Sequence, residues 1–331
     1  MYKIKQTPED FIVNEVSKIN IQENGQYSYY ILKKINYTTV DALQILAKKF
    51  NLPLKNFGFA GNKDRIAVTE QKISIFRGNK NFENVNLDNI ELKYLGNGKE
   101  PISLGDLEGN EFIITVRNLE KSEIDKIKKY QNKRIRVPNL YGPQRFSVHN
   151  HLIGKAIIKR DFKHAVELIL KNNGNFESQI EKYLETNKNN YVEALRLVPF
   201  KTRTLFVHSY QSFLFNKVIQ EYIKVKKKNL RNIKIPIIGF GFEISSIKDT
   251  KLKQIIKKII EEERISPRDF VISQMPELTS EGVFRDLFFQ LKLKILEIGS
   301  DELDHGKKKL RINFFLKKSC YATVVLAYAL Q

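Results

Sequence analysis

A carboxylate between two cations stands in the segment with the clearest chemical potential in this chain. Asp64 lies between Lys63 and Arg65, after a Gly-Asn turn, in residues 58–71 (GFAGNKDRIAVTEQ). The β-branched and apolar residues 66–76 predict a strand. A carboxylate at such a loop–strand junction, with positive charge on both sides, suits a nucleophile for an anionic substrate. The alternative interpretation is a surface turn with alternating charges.

Aspartate is a weak nucleophile, and this restricts the substrates on which it can act. Covalent catalysis by a carboxylate is known at the anomeric carbons of sugars. An enzyme that acts on a base or its glycosidic bond must unstack the nucleotide and receive the base on aromatic surface. Phe11, Phe112 and Tyr321 lie in segments that also carry polar groups, so they are candidates for that surface. Each of them taken alone is more typical of a core residue.

The charge balance indicates a polyanionic partner. The 331 residues include 57 Lys and Arg against 37 Asp and Glu, a formal net charge of +20, with a sequence pI of about 9.7. Such a field attracts nucleic acid or an anionic membrane surface. No stretch approaches the roughly 18 apolar residues of a membrane-spanning helix. We therefore expect RNA as the partner and no membrane, and the length predicts two domains.

Cysteine and motif content argue against several kinds of site. Cys320 stands alone, which excludes an intramolecular disulfide and a thiolate zinc cage built by this chain. Dinucleotide-binding, phosphate-loop, nucleophile-elbow and metalloprotease motifs are absent from the sequence. His149 and His151, beside Arg145, are a weak metal pair without clustered carboxylates. We expect no metal and no cofactor, and a monomeric, cytoplasmic protein without an obligate protein partner.

The predicted elements alternate in the first third of the chain, become helical in the middle and return to strands at the end. Thr38 predicts the N-cap of a helix over residues 38–50, and Ser122 with Asp125 predicts a capping box. The other segments are strands at 26–35, 112–116, 287–298, 310–316 and 320–328, and helices at 151–159, 161–172, 202–228 and 251–264.

This order predicts an α/β (α+β) fold with an inserted domain. A catalytic domain with a mixed, largely antiparallel sheet comprises residues 1–148 and 286–331, and a mostly helical domain, residues 149–285, is inserted into it. Basic clusters at residues 224–234 and 307–311 favour a charged groove that follows a phosphate backbone.

Six segments in chain order follow one family pattern. Residues 59–71 fit FAG-x-KD-x-x-AVT-x-Q, and further matches lie at residues 5–15 (KQTPEDFIVNE), 104–112 (LGDLEGNEF), 137–146 (VPNLYGPQRF), 210–216 (YQSFLFN) and 319–326 (SCYATVVL). Together they resemble the TruD family of pseudouridine synthases over essentially the whole chain. The resemblance implies a mixed α/β catalytic domain with a helical insertion.

The resemblance also implies an activity: isomerisation of uridine to pseudouridine in tRNA, usually at uridine 13 near the D arm, without cofactor or metal. Asp64 corresponds to the catalytic nucleophile, and attack at C1′ of the ribose and at C6 of the base both remain open. Two aromatic residues and an amide, Phe11, Tyr321 and Asn110, are expected to surround the nucleoside. Further cleft positions are Phe112, Lys5 and Glu15. Lys63 and Arg145 are the candidate cations that would orient the carboxylate or bind phosphate.

The sequence departs from the family pattern in three places. Ser147 stands where the family has glycine after Arg145 and Phe146. Residues 316–323 (LKKSCYAT) replace L-P-x-G-S-[FY]-A-T, and Ala327 and Tyr328 replace an Arg-Glu pair. These changes alter the expected edge of the cleft and leave the nucleophile in place.

Two other classes of function compete with this interpretation. An RNA-binding protein or chaperone with the same fold would rely on charge alone and would have no need of Asp64 in its full motif. A carboxylate-based nuclease would need several acids around a divalent metal, for which Asp64, Asp106 and Glu108 are the candidates.

Overall fold

The computed structural model describes residues 2–171, 176–226 and 230–330 and divides into two compact units. The first unit comprises Met1–Val137 and Gln290–Gln331, and the second comprises Pro138–Phe289. The predicted boundaries, after residues 148 and 285, differ from this division. Tyr141 exchanges two hydrogen bonds of 2.9 Å with the side chain of Asn216, which attaches residues before 148 to the second unit.

The elements of the described residues alternate in the first unit and are mainly helical in the second. The strands are β1 (Phe11–Val16), β2 (Tyr27–Ile35), β3 (Phe57–Phe59), β4 (Val68–Phe76), β5 (Ile90–Gly98), β6 (Gly109–Leu119), β7 (Arg134–Pro138), β8 (Lys234–Ile237), β9 (Val283–Asp286), β10 (Phe288–Lys292), β11 (Lys294–Ser300) and β12 (Lys308–Lys317). The α-helices are α1 (Thr39–Lys49), α2 (Lys121–Lys128), α3 (Asn150–Ile158), α4 (Phe162–Leu170), α5 (Glu177–Thr186), α6 (Tyr191–Arg196), α7 (Phe200–Lys226), α8 (Thr250–Glu263) and α9 (Ala322–Leu330).

The first unit is built on one mixed sheet. Its strands follow the order β11-β12-β6-β1-β4-β2-β5, and β3 pairs with β4. The β1–β4 pair is parallel, and every other neighbouring pair is antiparallel. The prediction of a mixed, largely antiparallel sheet is confirmed, and β11 and β12 rejoin the sheet that the N-terminal strands begin.

Helix α1 covers one half of the sheet, and its capping residues were predicted from the sequence. The Thr38 hydroxyl accepts the Asp41 N–H at 3.1 Å, and the Asp41 carboxylate accepts the Thr38 N–H at 3.4 Å. Leu43 and Leu46 are buried against Tyr30 of β2. The helix therefore packs on the face of the sheet that β2, β3, β4 and β5 form.

The C-terminal helix α9 replaces the strand that was predicted over residues 320–328. The N–H groups of Val324 and Val325 bond to the Tyr321 carbonyl and begin the helix. The run ATVVLAYAL is apolar on every side, and such a run does not distinguish a buried strand from a buried helix by periodicity. Its alanines and leucines favour the helix.

Two further local predictions are wrong. Helix α2 is capped by Glu120, whose N–H donates to the Glu123 carboxylate at 2.8 Å, rather than by Ser122 with Asp125. An acidic side chain three residues after the cap serves equally well in either register, so the pattern alone did not fix the register. The predicted strand 287–298 is divided into β10 and β11 at Leu293, a fully buried residue.

The second unit packs its helices around α7. Tyr210, Leu214 and Phe215 of this helix are buried in one hydrophobic core with residues of α3, α4 and α8. The predicted helix ends at residues 172 and 228 lie outside the described residues, as do residues 227–229 of the first basic cluster. Gly241 adopts a φ of +74°, and the Phe242 N–H donates to the Gly239 carbonyl at 3.2 Å, which closes a turn.

Both basic clusters are partly neutralised by ion pairs. Lys224 pairs with Glu221 at 2.7 Å, and Lys226 pairs with Asp249 at 3.0 Å. In the second cluster, Lys307 pairs with Glu120, and Lys309 pairs with Glu302. These cations are therefore less available to a phosphate backbone than a count of charges suggests.

A buried arginine connects distant parts of the first unit. The Arg117 Nε of β6 donates to both carboxylate oxygens of Asp10 at 2.9 Å, and its Nη1 donates to Asp301 at 2.9 Å. Its Nη2 reaches Glu302 at 3.0 Å. Arg117, Asp10 and Asp301 are 5%, 1% and 4% exposed. The network fixes the segment before β1 and the loop after β11 to the centre of the sheet.

Ser147, which stands where the family pattern has glycine, adopts the left-handed conformation with a φ of +45° and is exposed. Left-handed backbone costs an L-residue roughly 1–2 kcal/mol, whereas glycine loses about 0.5–1 kcal/mol through its greater freedom in the unfolded chain. We expect Ser147→Gly to raise the free energy of unfolding by about 0.5–1 kcal/mol in chemical denaturation. Ser122→Gly, inside α2, is the control and should lower it by a similar amount; a destabilised Ser147→Gly protein would contradict the argument.

Candidate active site

The loop that carries Asp64 joins β3 to β4, and the side chains of Thr39 and Gln71 hold it by hydrogen bonds. The Lys63 N–H donates to Thr39 Oγ1 at 2.8 Å, and the Thr39 hydroxyl donates to Gln71 Oε1 at 2.8 Å. Gln71 Nε2 in turn donates to the Gly61 carbonyl at 3.1 Å. The glutamine that ends the motif therefore fixes the turn that precedes Asp64.

The Asp64 carboxylate is accessible and is paired with Lys5. Lys5 Nζ lies 2.5 Å from Asp64 Oδ2, and the Asp64 side chain is 49% exposed. The same ammonium lies 4.3 Å from the centroid of the Phe11 ring. Lys5 adopts a left-handed φ of +57°, a conformation that non-glycine residues keep mainly where the surroundings require it. The site therefore presents a solvent-accessible carboxylate, an ammonium and an aromatic ring together.

Lys63 does not contact the Asp64 carboxylate. Its ammonium lies 2.5 Å from Glu15 Oε2, and the two side chains are 5% and 0% exposed. Ser17 Oγ donates to the other Glu15 oxygen at 3.2 Å. Lys63 and Arg145 were the two cations expected to orient the carboxylate or to bind phosphate. In this structure the Lys63 ammonium pairs with Glu15, and the ammonium that pairs with Asp64 is that of Lys5.

Three phenylalanines form a continuous row across β1, β6 and β12. The Phe11 and Phe112 rings meet edge to face with centroids 5.9 Å apart, and Phe112 stacks on Phe314 at 5.7 Å. Phe11 and Phe112 are 3% and 9% exposed. They form one apolar wall beside Lys5, and they are also part of the core.

Asn110 presents an unusual buried polar atom in the same region. It lies on β6 opposite Glu15 of β1 and Leu316 of β12. Its Oδ1 is buried and has no hydrogen-bond partner within the described residues. A buried acceptor without a partner costs about 1–3 kcal/mol. The amide oxygen thus has an unmet capacity to accept a hydrogen bond.

The remaining two predicted residues lie in other settings. Tyr321 is half-buried, and its carbonyl begins α9. Arg145 belongs to the second unit, where its Nε donates to Ser212 Oγ at 3.3 Å and its guanidinium lies 5.8 Å from the Tyr141 ring. Burial and the positive charge of Arg145 together lower the pKa of His208. The substrate roles of Tyr321 and Arg145 stay predictions.

The residues considered for metal binding make other contacts. His151 stacks on Phe213 with ring centroids 5.0 Å apart. Asp106 accepts the Ser103 N–H at 2.7 Å, and Glu108 pairs with Lys18 at 3.2 Å. Within residues 2–171, 176–226 and 230–330, no three His, Cys, Asp or Glu side chains converge in a way that could hold a metal ion.

The described helices include none with the length and apolar character required to cross a membrane.

Sequence reasoning missed three residues that hold the Asp64 loop: Thr39, Gln71 and Lys34. The Lys34 ammonium is fully buried and donates to the Asp64 carbonyl at 3.0 Å. Two signals in the sequence could have pointed to these residues. The strand period places Lys33 and Lys34 on opposite faces of β2, and Gln71 is the glutamine that ends the motif of residues 59–71.

The family comparison places the chain in the class of pseudouridine synthases, and the mixed sheet and the accessible aspartate agree with that class. The family model of tRNA pseudouridine synthase D (TruD) matches residues 2–182, 169–234 and 225–328. The chain belongs to the TruD family.

Relatives and a solved structure agree with this assignment. The chain is 27% identical to the tRNA pseudouridine synthase D of Aquifex aeolicus, over 98% of this chain and 97% of that protein. It is 32% identical to a Thermococcus sibiricus protein inferred to be a tRNA pseudouridine synthase D, over 98% and 93% of the two chains. The crystal structure of a candidate TruD from Methanosarcina mazei superposes with a TM-score of 0.76 at 27% identity and covers 99% of this chain and 93% of that one.

Proposed function

We propose that this protein isomerises uridine to pseudouridine in tRNA, at uridine 13, with Asp64 as the nucleophile. The observation that carries the proposal is the accessible Asp64 carboxylate, held 2.5 Å from the Lys5 ammonium, which itself lies against the Phe11 ring. A charge-assisted hydrogen bond from the ammonium orients the carboxylate, and a nucleophile must be oriented toward the atom it attacks. An aromatic ring beside it provides a surface for an extruded base.

The reaction requires that one bond break and another form between the same two partners. The N1–C1′ bond breaks, the uracil turns, and C5 joins C1′ while the C5 proton leaves and N1 gains a proton. Asp64 attacks either C1′ of the ribose or C6 of the base. In the first route the sugar becomes covalently bound to Asp64, and in the second route the uracil does. Lys5 orients the carboxylate in both routes, and no cofactor takes part.

The other predicted residues have distinct tasks in this proposal. Phe11 and Phe112, with Tyr321, retain the detached uracil by apolar contact while it turns. The Asn110 amide oxygen accepts the N3–H of uracil, which cytosine lacks. Arg145 binds a phosphate of the RNA.

The ion pair of Glu15 and Lys63 supports the site without contacting the RNA. Its two side chains are almost completely buried. Breaking it would displace both β1, which carries Phe11, and the loop that carries Asp64.

Pseudouridine mapping on tRNA transcripts tests the proposal directly. The protein is incubated with unmodified tRNA transcripts in Mg²⁺ and, in parallel, in EDTA, and pseudouridines are mapped by chemical probing. We expect one new pseudouridine at position 13, and none in a transcript with cytidine at that position. Pseudouridine elsewhere would overturn the site choice. A complete lack of pseudouridine, with RNA binding retained, would favour the RNA-binding alternative, and cleavage that EDTA abolishes would favour the nuclease.

A further inference from the structure

Lys34 is a buried lysine that lies directly beneath the nucleophile loop. It is 0% exposed, on β2, opposite Thr69 of β4. Its Nζ donates to the Tyr37 carbonyl at 2.5 Å and to the Asp64 carbonyl at 3.0 Å. These two carbonyls belong to the turn before α1 and to the β3–β4 loop, so one ammonium connects the two segments.

The burial of this ammonium is only partly compensated. In the part of the chain that the structure describes, no carboxylate oxygen lies within 4.0 Å of its nitrogen. Burial lowers the pKa of Lys34 to about 8; Asp64 and Asp41 oppose this effect, and Lys63 adds to it. Burying a charge without a paired counter-ion is expensive, so such a residue is usually kept for a specific contact.

The neighbouring lysine on the same strand provides a contrast. Lys33 points to the other face of β2 and pairs with Glu91 at 3.0 Å, with 36% of its side chain exposed. Lys33 has the ordinary environment of a strand lysine at the surface. Of these two lysines, Lys34 is the one whose ammonium donates to the Asp64 carbonyl.

We propose that Lys34 is a positioning residue for catalysis: it ties the Asp64 backbone to that of Tyr37 and so holds the carboxylate against Lys5. The inference rests on the proposed function, because positioning matters only if Asp64 reacts. The charge of the ammonium strengthens both hydrogen bonds. As the pH rises through about 8 this charge is lost, the bonds weaken, and the rate of catalysis falls.

The charged groups around Lys34 all lie in the first unit. Asp64 and Lys63 face it from the loop, and Asp41 faces it from α1. Asp64 in turn pairs with Lys5, and Lys63 pairs with Glu15.

Replacing Lys34 by methionine removes both hydrogen bonds and nearly preserves the volume. A misplacement of about 1 Å at a reacting group can lower a rate by about 10²-fold. We therefore expect Lys34→Met to lower kcat by about 10²-fold, with the Kd for tRNA within about 3-fold of the wild-type value. The fall in the wild-type rate above pH 8 should be absent in Lys34→Met. Lys33→Met is the matched control and should keep the wild-type rate and pH profile.

A measurement that does not depend on activity accompanies the variant. With ¹³C-labelled lysine, the NMR signal absent from Lys34→Met is assigned to Lys34 and titrated in the wild-type protein and in Asp64→Asn. We expect a midpoint near pH 8 in the wild-type protein, and a lower one in Asp64→Asn, because the carboxylate that favours the charged form is gone. If Lys34→Met does not fold, the signal is assigned from Lys34→Arg, which removes the same lysine signal and keeps a charged donor.

The outcomes separate this inference from the proposed function. A wild-type rate and unchanged pH profile in folded Lys34→Met would overturn the role of Lys34. An ordinary lysine midpoint near pH 10.4, unaffected by Asp64→Asn, would do the same. Wild-type protein without pseudouridine formation would instead overturn the proposed function, whatever the NMR titration gives.

Discussion

Asp64→Asn is expected to abolish pseudouridine formation, with a loss of at least about 10⁴-fold in the single-turnover rate. Losses of this size follow removal of a nucleophile, because the remaining groups only bind and orient the substrate. Asparagine has nearly the same shape, but its neutral amide is not a nucleophile and cannot form an ion pair with the Lys5 ammonium. RNA binding should stay within about 3-fold of the wild-type Kd, because removing a negative charge does not weaken attraction to a polyanion. Single-turnover assays on tRNA and filter-binding measurements check both values.

Asp106→Asn is the matched control for this prediction. Asp106 lies in the same unit, is exposed, and was a candidate ligand in the nuclease alternative. We expect this variant to retain the wild-type rate, since its carboxylate only accepts the Ser103 N–H. A wild-type rate in Asp64→Asn would show that the nucleophile is misassigned. Equal losses in both variants would indicate a function in which several carboxylates act together.

The sequence singled out Asp64 as the candidate nucleophile, whereas the partner of its carboxylate could not be predicted. Asp64 was identified because the glycine, lysine, aspartate and glutamine of its segment form one local pattern. The choice between Lys63 and Lys5 depends on the direction in which a loop side chain points. For Lys63 that direction goes with the pairing of its ammonium with Glu15, a residue of a different element. Tertiary contacts of this kind leave no local periodic signal.

Lys34 shows the same limit at the level of a strand. The sequence predicted a strand over residues 26–35, and strand geometry places Lys33 and Lys34 on opposite faces. Which of the two faces the covered side depends on the register with β4, where Lys34 is opposite Thr69. The preference of lysine for the surface made the buried position the less expected one.

The sheet was predictable and the C-terminal helix was not, for a related reason. Alternation in β6 and β12, together with the family resemblance, predicted strands that join one mixed sheet. Residues 322–330 have no alternation, because both sides of α9 are largely buried. Without a polar face, length and composition are the only guides. The short length favours a strand, whereas the composition favours a helix.

Arg117→Met is expected to destabilise the first unit by about 3–5 kcal/mol at pH 7. Removing one partner of a buried ion pair leaves its carboxylates without compensation, which is the costly way to break such a network. Asp10 and Asp301 would both lose the guanidinium while they remain almost completely buried. Lys128→Met is the control: Lys128 pairs with Asp125 on the surface at 3.1 Å, with half of each side chain exposed, and should cost less than about 0.5 kcal/mol. Chemical denaturation of the three proteins measures the differences.

The pH dependence of the Arg117→Met effect distinguishes an electrostatic from a packing origin. Burial raises the pKa of Asp301, but the N–H groups of Asn118 and Leu303 and the charge of Arg117 outweigh it, so the pKa lies below its usual range. A depressed pKa contributes stability that is present above the unfolded value of about 3.9 and is lost as the pH falls through the folded value. The wild-type protein should lose this contribution in acid, whereas the variant has little of it to lose. The difference between the two should therefore narrow below about pH 4, and a difference that stays constant would indicate lost packing instead.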